Sequence, residues 1–222
     1  MEFGVPFSYV FQDPDWMKKV GLMALVSLIP VVGQIVLLGW MLDAMGRVIN
    51  DDPTPLPELD FGGQLGLGFK GILVGIGYSI PLIIIMLPLI LVAALGDTLD
   101  MPEDTLTMAM SILGLCCGGL AFLLSLVVAL LLPAAFGNLV TEGTIGAAFR
   151  VGELFNIVKS SIGAFVIAIL GAWVASLVGS LGSIACGVGV LITMVYAQAI
   201  TAHFYAQAYK QGKANVRLSG GA

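Results

Sequence analysis

Apolar residues run almost unbroken from Val20 to Tyr209, with interruptions spaced so as to cut the chain into bilayer-sized lengths. Five stretches emerge, 20–42, 70–95, 106–136, 161–180 and 186–209. Each can cross about 30 Å of hydrocarbon as a helix rising about 1.5 Å per residue. The third is overlong, which predicts tilt or projection. Residues 181–185, with Gly179, Gly182 and Gly187 around them, separate the last two, and this glycine content predicts a tight helical hairpin rather than one continuous helix.

The first stretch carries Leu28-Ile29-Pro30-Val31-Val32-Gly33 near its centre, a helix-breaking proline followed by a turn-permissive glycine. Two readings follow. If it crosses once, Lys18 and Lys19 lie on one side, and Arg47, Lys70, Arg150, Lys159, Lys210, Lys213 and Arg217 on the other. If it turns back as a re-entrant hairpin, all nine cations share one face. The opposite loop, Gly96 to Thr105, then holds only the acids Asp97, Asp100, Glu103 and Asp104. Cations in short loops stay cytoplasmic, so the cleaner partition favours the hairpin, four full spans and cytoplasmic termini. Its turn must then be buried in protein, because lipid cannot satisfy an open backbone.

Two connecting segments read as surface-lying amphipathic helices. Residues 3–17 place Phe3, Phe7, Tyr9, Phe11 and Trp16 among polar neighbours, the mixture suited to the headgroup zone. Thr144 is positioned to cap a second, in which Ile145, Ala148, Phe149, Phe155 and Val158 recur at helical spacing and Arg150, Glu153 and Lys159 face water. The fold expected is therefore an all-α, polytopic helical membrane bundle forming one integral membrane domain over 1–222. Residues 1–19 are an interfacial segment, 20–209 the bundle and 210–222 a polar cytoplasmic tail.

Composition supports this solvent: 59% of residues are hydrophobic and 10% charged, with a mean hydropathy of +1.04. A net charge of -5 leaves no basic stripe for nucleic acid. Cys116, Cys117 and Cys186 lie in apolar stretches without CxxC spacing and read as small packing residues. The order of Glu2, Asp13 and Asp15 before Lys18 and Lys19 is wrong for a signal peptide, so the first hydrophobic segment is expected to be retained.

Helices in lipid associate through small residues that allow close backbone approach. Gly171, Ala175, Gly179 and Ser183 recur every four residues in the fourth span. Gly71 and Gly75 open the second, and Gly114 and Gly118, followed by Ala121, Ser125 and Ala129, give the third a small face. These rows serve internal packing, self-association or docking of other membrane subunits. Pro30, Gly33, Pro81, Pro88 and Pro133 mark helix breaks of the kind that line transport pathways. No acid or base occupies the centre of a full span, which disfavours a coupled pump.

The fifth span is the most polar: Tyr196, His203 and Gln207 share one face, and Gln198, Thr201, Tyr205 and Tyr209 another. His203 is the single histidine and the one candidate axial ligand for a haem or chlorophyll; hydrogen bonding within the bundle is the alternative. Ser79 and Ser183 have no base within helical reach and read as backbone-bonding hydroxyls. The acidic loop lacks calcium-loop spacing, and no GxSxG, HExxH or GxxxxGK occurs. The chain is expected to be non-enzymatic, with no metal site and no identifiable cofactor.

Three pieces carry a resemblance: Phe11-Gln12-Asp13-Pro14-Asp15-Trp16 before Lys18-Lys19; Leu28 to Gly33; and Gly39-Trp40 leading through Arg47 to Leu56-Pro57-Glu58-Leu59-Asp60. Gly66, Gly71, Tyr78-Ser79-Ile80-Pro81, Phe204-Tyr205 and Gly212-Lys213-Ala214 extend it over most of the chain. In this order they resemble the bacterial and archaeal membrane-protein family catalogued as domain of unknown function 4013. The resemblance implies a helical cytoplasmic-membrane protein and no assigned reaction. It suggests three structural hallmarks: an interfacial stop at Asp13–Trp16, a helix break at Pro30–Gly33, and a rigid loop at Leu56–Glu58. Pro53, Pro55 and Pro57 hold that loop extended. The leading expectation is a structural or accessory subunit in the lipid bilayer, with a small-solute permease or channel as the alternative.

Overall fold

A computed structural model describes residues 3–96, 98, 101–184 and 188–219. Asp97, Asp100, Ala185, Cys186 and Gly187 lie outside the described residues. Among those described are eight α-helices: α1 Val5–Ser8, α2 Trp16–Val26, α3 Val32–Ile49, α4 Phe61–Leu95, α5 Glu103–Glu142, α6 Val151–Ser160, α7 Ile162–Leu181 and α8 Val188–Ser219. Five of them, α3, α4, α5, α7 and α8, are long and apolar enough to cross a membrane. The chain is a helical membrane bundle, the architecture in which each span satisfies its own backbone amides. It divides into two compact units, one of Met1–Val74 with Leu130–Ala222 and one of Gly75–Ala129.

The first hydrophobic stretch breaks where Pro30 lies. Helix α2 stops at Val26, and α3 begins at Val32 after Val31 takes φ 64° and ψ -61°, a γ-turn closed by the Val32 amide donating to the Pro30 carbonyl at 2.7 Å. So sparsely populated a backbone conformation costs a non-glycine residue about 1–3 kcal/mol. The Val26 carbonyl lies where a Cβ on Gly33 would be, so glycine is what lets the two helices meet. Gln34 Nε2 donates to the Ser27 carbonyl at 3.2 Å across the turn. The chain reverses, since Val20, Met23 and Ala24 of α2 share one core with Val36, Leu37 and Trp40 of α3. The arms are unequal, however: α2 has 11 residues and α3 has 18. Helix α3 runs past Leu42 to Ile49 because Asp43 and Arg47 pair with each other at 3.4 Å, four residues apart on the helix.

In the larger unit α8 is central, with α7 beside it and α2, α3 and α6 packed around it. The small-residue row of α7 faces α8: Ala168, Ala175 and Gly179 are buried, and a Cβ on Gly171 would sit 2.5 Å from the Phe204 ring. Gly179 lies against Ala197, its missing Cβ 3.2 Å from that methyl. Ser183, at the end of the row, is exposed instead. Helices α3 and α4 cross at Gly39 and Gly68, where Cβ atoms would strike the backbone at Gln64 and Ile35, and Gly71 packs on Leu38 and Leu42. Helices α7 and α8 are separate, joined through the turn at Gly182–Ile184 and tied by the Thr193 hydroxyl donating to the Gly179 carbonyl at 2.7 Å. Helix α8 also continues through residues 210–219, which the sequence set apart as a tail.

The second unit contains residues 75–95 of α4 and 103–129 of α5. Pro81 and Pro88 stay inside an uninterrupted α4, and Pro133 lies inside α5 in the larger unit, so none of the three breaks its helix as the sequence suggested. A long helix tolerates one missing amide donor when the turns on either side remain bonded. Cβ atoms placed on Gly75, Gly114 or Gly118 would meet no atom of the described residues within 4 Å. Large side chains here face outward: Leu115 is 80% and Phe122 63% exposed. Cys116 is exposed as well, not buried as its apolar setting suggested.

Neither connecting segment is one regular helix. Residues 3–17 form α1, a 3₁₀ turn at Tyr9–Gln12 and the start of α2. Tyr9 is buried and Phe3 and Phe7 sit 5.3 and 5.9 Å from the Phe204 ring, while Phe3 and Phe11 remain exposed. Thr144 precedes a 3₁₀ helix at Ile145–Phe149 and makes no capping bond from its side chain, because α6 starts later, at Val151. The inward face of α6 is Leu154, Ile157 and Val158, whereas Phe155 is exposed.

Candidate functional site

Two of the sequence hallmarks, Asp13–Trp16 and Leu56–Glu58, meet in one clasp with Lys19, Trp40 and Gln64. Asp13, 2% exposed, accepts from the Asp15 amide at 2.9 Å and from Lys19 Nζ at 2.7 Å. The same ammonium donates to the Leu56 carbonyl at 2.8 Å. Trp40 Nε1 donates to the Pro57 carbonyl at 3.0 Å, and Gln64 Nε2 to the Glu58 carbonyl at 2.7 Å. Three consecutive carbonyls of the proline-rich loop are thus each held by a buried side chain from a different element. Extended proline-rich backbone has no partner of its own for these groups, so the side chains supply what a helix would.

A second arrangement surrounds His203. Its ring lies 4.4 Å from that of Tyr9, and one nitrogen, Nε2, is 2.8 Å from Gln207 Nε2. Tyr9 donates to the Ala199 carbonyl at 2.7 Å, and Tyr196 donates to the Phe7 carbonyl at 2.6 Å, so two phenols fasten the N-terminal segment onto α8. Burial, with Tyr196 nearby, pushes the Tyr9 phenol well above its usual range. His203, Gln207, Lys210, Gln211 and Asp51 line a cavity of about 560 Å³. A smaller one of about 270 Å³ adjoins it and shares Val5, Val48, Asp51 and His203. Lys210 pairs with Asp51 in the wall of the larger cavity, and Asp52, which lines the smaller one, lies 3.6 Å from Arg47. The Thr54 amide and hydroxyl hold the Asp52 carboxyl below the usual range.

Of the residues singled out from the sequence, the structure joins His203 and Gln207 directly. Tyr196 lies on the same helix but is committed to the N-terminal segment. Thr201 bonds the Ala197 carbonyl at 2.9 Å, and Gln198 lines a separate cavity of about 300 Å³ between α7 and α8. Tyr209 donates to Asn138 Oδ1 at 2.8 Å, a buried contact that fixes α5 to α8. Ser79 and Ser183 bond the Gly75 and Ser180 carbonyls, as their lack of a neighbouring base implies. The His203 ring does not fit a haem or chlorophyll as arranged: Tyr9 covers it, Gln207 occupies Nε2, and Nδ1 is enclosed. Sequence reasoning missed Asp51, Lys210, Gln64 and Tyr9 as members of these sites, since their partners lie up to 190 residues away.

The family model described as "Protein of unknown function (DUF4013)" matches residues 22–204, most of the chain. The chain belongs to this family. No match to a curated protein or to a solved structure was found. The DUF4013 match takes in Trp40, Leu56, Gln64 and His203, whereas Tyr9, Asp13, Lys19, Gln207 and Lys210 lie outside it. Both arrangements therefore join residues of the DUF4013 region to residues flanking it. With five apolar helices, this DUF4013 member is a multi-pass membrane protein.

Proposed function

We propose that the chain is a non-enzymatic structural or accessory subunit of a prokaryotic cytoplasmic membrane, docking onto other membrane proteins or a second copy through residues 75–129. The observation that carries this reading is the small-residue row of α5. Gly114 and Gly118 have open space where a Cβ would be, while the equivalent row of α7 is filled by α8. A bilayer selects small residues where another helix comes close, and lipid alone gives no reason for them. Cytoplasmic termini are supported by the reversal at Leu28–Val31, which returns Lys19 to the Leu56 carbonyl and so to the side of Arg47. Crosslinking in native membranes from a cysteine at position 115 tests it. Adducts that disappear on Gly118→Leu are expected, and a strictly solitary protein in mild detergent and in bilayers would refute the reading.

A further inference from the structure

Three buried side-chain polar atoms among the described residues lack a hydrogen-bond partner: Gln64 Oε1, His203 Nδ1 and Gln207 Oε1. Two of the three belong to neighbouring residues in the wall of the same cavity, one turn apart on α8. Buried unsatisfied polar atoms cost about 1–3 kcal/mol each; both atoms are closed off in this structure, so an occupant of the cavity reaches them as the Gln207 side chain shifts.

The chemistry of the missing partner does not depend on how the Gln207 amide is turned. A neutral imidazole has one donor and one acceptor nitrogen, and a carboxamide has both kinds. If Gln207 donates to Nε2, then Nδ1–H is an unmet donor and Oε1 an unmet acceptor. If the amide is reversed, Nδ1 is the acceptor and the amide nitrogen the donor. Either way one donor and one acceptor remain. The charged groups that line it, Lys210 and Asp51, are already matched with each other, so an ion entering must compete with an existing pair. Val5, Val48 and Ala214 supply apolar wall, and about 560 Å³ lies within the range of small-molecule sites.

We propose that this cavity binds a small uncharged molecule through a group that both donates and accepts hydrogen bonds, a carboxamide or hydroxyl, held by His203 and Gln207. A primary carboxamide fits best, because its carbonyl and N–H lie on one edge and match either orientation of Gln207. The site is independent of the docking face on residues 75–129.

The test exploits the single histidine of the chain. Full-length protein labelled with ¹⁵N-histidine, in nanodiscs, is titrated with four probes of one shape: benzamide, benzoate, benzylamine and toluene. Benzamide is expected to move the Nδ1 resonance saturably, with the other three at least tenfold weaker and the response lost in Gln207→Leu. Equal or non-saturating responses to all four would show partition into lipid and overturn the proposal. Benzoate or benzylamine binding as tightly as benzamide would overturn it too, as would undiminished binding by Gln207→Leu. The four-probe comparison needs no variant, so it decides the matter even if Gln207→Leu fails to fold.

Discussion

Helices α7 and α5 carry small residues at the same four-residue spacing and use them in opposite ways. In α7 the row is closed: the Phe204 ring fills the space beside Gly171, and Ala197 abuts Gly179. In α5 the row around Gly114 and Gly118 leaves room for further atoms. The difference extends to polar chemistry, since the larger unit contains the buried Asp13–Lys19 pair and the tyrosine bonds to main-chain carbonyls. A small-residue row therefore reports the capacity for close approach, and only the neighbour that arrives decides whether the capacity is used.

If the larger unit is held by fitted polar contacts, the largest loss follows from Asp13→Ala, which strands the Lys19 ammonium against Leu56 with 9% of its side chain exposed. Breaking one side of such a buried pair costs about 3–5 kcal/mol, read by reversible unfolding in mixed micelles. A variant within 1 kcal/mol of the wild type would show that the clasp is ornamental to folding.

The two glycine rows are compared directly by paired substitutions. Gly171→Leu drives a side chain into Phe204 and is expected to cost about 1–3 kcal/mol or more of protomer stability. Gly118→Leu is expected to change protomer stability by no more than about 0.5 kcal/mol, as for a site away from packed contacts. Its effect should appear in association within bilayers, measured by energy transfer between labelled copies. Equal destabilisation by both would erase the distinction between the rows.

A smaller effect is expected from Tyr9→Phe, which keeps the ring beside His203 and removes the bond to the Ala199 carbonyl at a cost of about 1 kcal/mol. Faster proteolysis within residues 3–15, with the rest of the chain unaffected, checks that this phenol fastens the N-terminal segment. The smallest effect is one of pH. A hydrogen bond from Lys213 at 2.6 Å, assisted by Arg150, holds the Glu153 carboxyl below the usual glutamate range. Because the folded-state value is depressed, the contribution is complete above the ordinary value of 4.5 and fades as pH falls through the depressed one. For so exposed a pair it is under about 1 kcal/mol. Midpoints of thermal unfolding below pH 4.5 should fall less in Glu153→Gln than in the wild type.

Much of the bundle was legible because hydrophobic length is a local property. The break at Pro30 and the separation of α7 from α8 follow from residues adjacent in the chain, whereas α4 starts at Phe61, nine residues before the apolar tract at 70–95. The ends of α5 and α8 were not legible, because both continue as helix beyond the apolar tract, where Tyr209 bonds Asn138 and Lys213 bonds Glu153. The resemblance gave Asp13–Trp16 and Leu56–Glu58 as separate hallmarks of stop and loop, and Trp40 only as part of a quoted motif. Nothing in their spacing says that Lys19 bridges the stop to the loop or that Trp40 holds Pro57. His203 and Gln207 were placed together by helical periodicity, and Lys210 lies on the same helix, yet the Asp51 that pairs with Lys210 at their cavity comes from a segment distant in sequence.

By itself the sequence determined the solvent and the helical state of the apolar runs, since such a run in lipid must bond its amides along the helix whatever its neighbours are. Tertiary structure alone decided which glycines are occupied, which carbonyls the buried Lys19, Trp40 and Gln64 serve, and that a cavity opens beside the one histidine. Those outcomes depend on pairs of surfaces meeting, and complementarity between residues far apart in the chain leaves no periodic mark in either of them.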